Sequence, residues 1–155
     1  MIIEALLAFT FAAALLVFAV PDKYAPKLAF GLSLVPVVGS LYMWSTFEAG
    51  GNALTGGDIA FETVASWIEL AGYQIQWYVG VDGISLPLVV LTTFLTTLAI
   101  VSAWTPIQER ESQFYGLMLF MEANMIGVFT ALDFFLWFLF FEAVLIPMYF
   151  LIGVW

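Results

Sequence analysis

Two carboxylates stand at positions where carboxylates are costly. Glu142 lies in the middle of an otherwise apolar run, Phe134 to Trp155, and Glu122 lies eight residues into the run that begins at Phe114. A charged side chain at bilayer depth costs about 3 kcal/mol even on lenient insertion scales, and intramembrane acids mark proton and ion pathways. Removing a carboxylate from water penalises its charged form, and a nearby cation restores it. A buried glutamate whose cationic neighbour moves or changes protonation can therefore take up and release a proton. Pro147, five residues after Glu142, has no N–H, so the carbonyl of Ala143 loses its helical donor. That freed group offers ordered water a place beside the acid. The alternative for both glutamates is a neutral acid hydrogen-bonded to a neighbouring helix as packing glue. No Lys or Arg falls within any expected span, so the tuning cation is not visible in this chain.

Other polar residues have simpler readings. Asp133 directly precedes the last apolar run, where its carboxylate can accept from free N–H groups as an N-cap. Asp82, in Gly80-Val-Asp-Gly-Ile-Ser-Leu-Pro87, sits at a helix entrance, where a cap or turn role leads and ion entry is the alternative; placing the cap at Ser85 would put Pro87 in the tolerant first turn. Thr92, Thr93, Thr96 and Thr97 most simply bond back to their own helix; wetting a pathway is the alternative. The short Ala131-Leu132 connection makes the fourth and fifth helices antiparallel neighbours. With axes ~8–10 Å apart, Glu122 and Glu142 would share a water chain if both faced inward.

The elements that must carry these residues are membrane helices. The 155 residues are 64% hydrophobic, 18% aromatic and only 10% charged, against about a quarter charged in soluble proteins. Taking about 20 apolar residues per crossing, the spans are Ala5 to Val20, Leu28 to Phe47, Ile84 to Trp104, Phe114 to Thr130 and Phe134 to Val154. The fold class is all-α integral membrane with about five transmembrane helices in a single domain, 1–155. At ~1.5 Å rise per residue, Glu142 lies ~12 Å from Phe134, near the midplane of a ~30 Å core. The first run carries Glu4 where a secretory signal has positive charge, and it reads as a retained helix. Pro36 breaks the ladder of the second.

The 48–82 connection opens with turn-forming residues (Gly50, Gly51, Asn52, Gly56, Gly57, Asp58). It continues with the alternation Tyr73-Gln-Ile-Gln-Trp-Tyr-Val79, which predicts a strand. Trp67 to Leu70 would pair with it across Ala71-Gly72 as a short β-hairpin; an irregular capping loop is the alternative. Lys23 and Lys27 fall between the first two helices and Arg110 between the third and fourth, loops that alternation places on one side. The positive-inside rule makes that side cytoplasmic, with the N-terminus outside and the C-terminus inside.

Composition also excludes functions. With no Cys and no His, the chain lacks the usual ligands for iron–sulfur clusters, haem or structural zinc. A formal charge of −9 with three basic residues argues against a nucleic-acid surface.

Three segments carry a resemblance. Gly-Val-Asp-Gly-Ile-Ser-Leu-Pro (80–87), Gly-Val-Phe-Thr-Ala-Leu-Asp (127–133) and Phe-Glu-Ala-Val-Leu-Ile-Pro-Met-Tyr-Phe-Leu-Ile-Gly (141–153) together resemble subunit M of proton-pumping NADH:quinone oxidoreductase, complex I. That subunit belongs to an antiporter-like family. The resemblance implies a non-redox, proton-translocating membrane-arm subunit of a respiratory NADH or F420H2:quinone oxidoreductase, with no catalytic chemistry in this chain alone. NADH or F420H2, flavin, iron–sulfur clusters and quinone are expected on partner subunits, and the partners are the other membrane-arm subunits and the lipid bilayer. Glu142 matches the fifth-helix glutamate that works with a lysine on a later helix; Glu122 is a candidate relay. Family members have more helices than five, so the chain is expected to be a fragment or split gene product, or to have the rest supplied by another polypeptide. The competing readings are a subunit of a multisubunit Na⁺/H⁺ antiporter or membrane-bound hydrogenase, and a structural membrane fragment.

Overall fold

A computed structural model describes residues 1–47, 59–70 and 73–155. The expected turns at Gly50 to Asp58 and at Ala71-Gly72 lie outside the described residues. The helices are α1 (Ile2–Ala19), α2 (Ala25–Thr46), α3 (Ser85–Ser102), α4 (Glu111–Thr130) and α5 (Phe134–Val154), and β1 (Ala60–Leu70) and β2 (Tyr73–Val81) form an antiparallel pair between α2 and α3. A 3₁₀ turn, Asp22–Tyr24, leads into α2.

The chain is an integral membrane protein of the expected class, with one qualification. Four helices are long and apolar enough to cross a membrane, and α4 is not among them. Gln113, Glu122 and Asn124 dilute its apolar run. Packing explains how it is tolerated: α4 touches all four other helices, most extensively α1 and α5, and half of its residues are buried. By contrast, only 17% of the apolar stretch of α5 is buried, against 39% for α1 and α3. The least covered helix is the one that carries Glu142.

Helix starts follow side-chain chemistry. Asp133 Oδ1 accepts from the amides of Phe135 (2.9 Å) and Leu136 (3.1 Å), capping α5. At α3 the capping carboxylate is Asp82, not a cap placed at Ser85. Its Oδ1 accepts from Ile84 N (3.0 Å) and Ser85 N (2.6 Å), and Ser85 Oγ accepts from Asp82 N (2.9 Å). The reciprocal pair satisfies more free amides than a cap at Ser85 would, and the Asp82 carbonyl already receives the Leu86 amide. α4 borrows its cap. Arg110 precedes it in the left-handed region (φ 52°), and the Ser112 amide donates to Asp22 Oδ1 from the α1–α2 connection (2.9 Å). At the same end, Trp155 Nε1 donates to the Glu109 carbonyl (2.9 Å).

The hairpin is longer than the alternation suggests. Its register pairs Leu70 with Tyr73 and Val64 with Tyr78, and irregularities between Ala60 and Thr63 and between Ser66 and Ile68 break the period of two in β1. That is why only Trp67 to Leu70 reads as strand in sequence. Leu132 N donates to Tyr78 O (2.8 Å), so β2 is tied to the α4–α5 connection. Trp77 meets Phe140 edge-on, and the Tyr78 hydroxyl donates to Glu62.

Two apolar clusters fill the bundle. One, beneath the hairpin, joins Leu6, Met43, Val79, Val89, Ile126 and Phe140. The other, at the basic end, joins Val17, Ala29, Ile100, Tyr115 and Leu119.

Candidate functional site

α4 places Glu122 in the interior. The side chain is fully buried, and neither carboxyl oxygen has a hydrogen-bond partner among the described residues. The packing-glue reading requires such a partner, so the geometry gives it no support for this residue. Asn124, two positions on, is occupied with its own helix, donating to the Phe120 carbonyl (2.7 Å).

Glu142 is placed differently. α5 buries Leu136, Phe140 and Pro147, and at 100° per residue Glu142 lies nearly opposite Phe140. It is exposed on the outer face of the bundle. The two acids therefore do not both face inward, and the chain does not build the direct Glu122–Glu142 water chain that common inward facing would give. The reason is helical phase. Phe140 must fill the space over Gly127, where an added Cβ would overlap its ring, and this turns Glu142 away.

Thr92, Thr93 and Thr97 behave as expected, and two of them do more. Thr92 donates to the Leu88 carbonyl (2.8 Å), Thr93 to Val90 (3.0 Å) and Thr97 to Thr93 (3.1 Å). Thr93 and Thr97 also bridge to α2, at 3.0 Å to Ser40 Oγ and 3.1 Å to Ser33 Oγ. Sequence reasoning missed Ser33 and Ser40. Their spacing of seven, about two helical turns, puts them on one face, and that spacing was the available signal.

The basic side chains lie outside this region. Lys23 and Lys27 flank the start of α2 and Arg110 precedes α4, at the end tied by Asp22 and Ser112. Among the described residues no three His, Cys, Asp or Glu side chains are grouped as a metal site would require. The chemistry available at depth is therefore that of oxygen atoms: two carboxyls, one enclosed and one facing outward, and a set of hydroxyls.

Residues 30–128 match the family model described as NADH-ubiquinone oxidoreductase chain 4, amino terminus. The chain belongs to that family. It is 39% identical over 143 residues to the NAD(P)H-quinone oxidoreductase chain 4 of Gloeobacter violaceus, covering 92% of this chain and 26% of the relative. The NADH-quinone oxidoreductase subunit M of Rickettsia prowazekii is 34% identical, with 86% and 26% covered. The F(420)H(2) dehydrogenase subunit M of Methanosarcina mazei is 35% identical, with 75% and 22% covered. The chain thus spans about a quarter of the length of these relatives. The match reaches residue 128 and so takes in Glu122 and nearly all of α4, whereas Glu142 lies beyond the matched segment.

Proposed function

We propose that this chain forms the amino-terminal helices of a proton-translocating membrane-arm subunit in a respiratory NADH or F420H2:quinone oxidoreductase. Electrons move on partner subunits that hold the flavin, iron–sulfur clusters and quinone. Glu142 takes part in moving the protons. The observation that carries this reading is the outward position of a mid-depth carboxyl on the least covered helix. A carboxyl so placed meets whatever helices cover α5, and a cation delivered there acts on it directly.

The energetics suit a coupled switch. A unit positive charge ~4 Å from a carboxylate contributes about 4 kcal/mol at an effective dielectric of 20. As the cation approaches, the Glu142 O–H bond breaks and the proton passes to water. As it withdraws, a proton from the other side adds to the carboxylate. The Ala143 carbonyl freed by Pro147 supports water at this point. In this orientation the basic end faces the cytoplasm and the hairpin lies outside, as the positive-inside rule requires.

Glu142→Gln tests the role in the assembled complex. The substitution keeps size and hydrogen bonding but removes the exchangeable proton. Proton translocation per electron is expected to fall at least tenfold for this subunit's share, with assembly intact. Unchanged pumping at normal assembly would falsify the assignment.

A further inference from the structure

Close contacts across helix pairs fix which residues share a depth. Phe11 of α1 meets Phe120 of α4 edge-on, and an added Cβ at Gly116 would reach Phe18. This antiparallel register sets Thr10 level with Glu122. Leu6 lies against Gly39, which sets Thr10 level with the Val35-Pro36 step of α2. The pairs Ser33–Thr97 and Ser40–Thr93 bracket Pro36 and bring the α3 threonines to the same depth. Apolar clusters lie above and below.

The layer between them is polar and enclosed. Thr10, Ser33, Ser40, Thr93, Thr97 and Glu122 are each at most 8% exposed. It is also rich in acceptors and poor in donors. In each pair one hydroxyl donates to the other, Thr97 to Ser33 and one of Ser40 and Thr93 to its partner, and the accepting hydroxyl gives its own proton to a carbonyl of its own helix, so the protons are spent and oxygen lone pairs remain. Pro36 supplies no N–H to the Leu32 carbonyl. Both oxygens of Glu122 lack partners among the described residues. What satisfies such a set is a donor that comes from outside it, and water carrying a proton is the smallest that fits. Beside the layer, Thr92 and Thr96 are the two polar residues of an otherwise apolar groove of about 340 Å³ between α3 and α4, walled by leucines of α3 and by Met118, Met121 and Met125 of α4.

We propose that Glu122 is a second proton-binding carboxyl, reached through a hydrated layer that opens between α3 and α4 past Thr92 and Thr96 and continues in the hydroxyl pairs behind them. The layer delivers a proton to a carboxylate oxygen of Glu122, where an O–H bond forms, and the reverse step returns it to water. This goes beyond the role given to Glu142 and does not route through it.

The chain contains no Cys, which makes the layer testable by single replacements in the assembled membrane complex. Thr96→Cys and Ser33→Cys are treated with the small water-soluble reagent 2-aminoethyl methanethiosulfonate. Val89→Cys and Ile100→Cys, from the flanking apolar clusters, serve as controls. The layer thiols are expected to react at least tenfold faster than the controls, measured on the isolated peptide. In parallel, Glu122→Gln is expected to lower the protons moved per electron while Glu122→Asp retains them. Layer thiols no more reactive than the controls, or a full proton ratio in Glu122→Gln, would overturn the proposal. Should Glu122→Gln fail to assemble, the thiol rates decide the question. Neither measurement depends on Glu142, so a silent Glu142→Gln would sink the first reading and leave this one standing.

Discussion

Asp82 shows how much a single side chain at a helix start can organise. The Ser85 amide bonded to it holds its carboxyl below the usual carboxylate range, with the Ile84 amide and the Ser85 hydroxyl adding to the effect against the opposing influence of burial. A carboxyl depressed in the folded state favours folding while it is charged. The contribution is complete above the ordinary value of about 3.9 and is lost as pH falls through the lower folded value. Asp82→Ala is therefore expected to cost about 1 kcal/mol at neutral pH, typical of a lost cap. The gap in thermal midpoint between wild type and variant, measured in detergent, should narrow below about pH 4. A gap that widens on acidification would contradict the assignment. The two glutamates teach a complementary lesson at this scale: residue type announced that both are unusual, but not which way either points.

Between helices, the decisive contacts are made by the smallest residues. Gly127 leaves room for the Phe140 ring, and a Cβ there would overlap it. Gly127→Ala should overpack the α4–α5 contact at a cost of about 1–3 kcal/mol. Combining it with Phe140→Leu should recover much of that loss in a double-mutant cycle of thermal stability; strict additivity would show that the two sites are not in contact. Helix positions were legible in sequence because runs of apolar residues end at caps, and Asp133 marks its boundary plainly. The rotation of each helix was not legible. Runs apolar on every side, such as Phe134 to Val154, carry little facial asymmetry, so packing against a neighbour decides which side is buried. This is why Glu142 faces out while Glu122 faces in. The hydroxyl pairs were hidden for a related reason: Ser33 and Thr97 are 64 residues apart, and only the inter-helix register brings them together. The hairpin was half legible, since Tyr73 to Val79 alternates whereas bulges interrupt β1.

Taken whole, the molecule has two unlike ends. One gathers Lys23, Lys27 and Arg110 around the short connections, and the other is covered by the hairpin, anchored through Leu132 to Tyr78 and through the amino group of Met1 to Thr63 (2.8 Å). A topology experiment distinguishes the sides. Gln108→Cys should be labelled by an impermeant thiol reagent only from the cytoplasmic face, and Ser66→Cys only from the opposite face; the reverse pattern would invert the orientation. The tie between Asp22 and Ser112 also has a bearing on how the protein is made. Asp22 precedes Ser112 by 90 residues, so a ribosome releases the cap long before the helix that receives it. α4, the helix with the weakest claim to the bilayer on its own composition, is synthesised after α1, α2 and α3, three of its packing partners. Its lodging in the membrane is thus a matter of assembly order, with the earlier helices providing the surroundings that its own sequence does not.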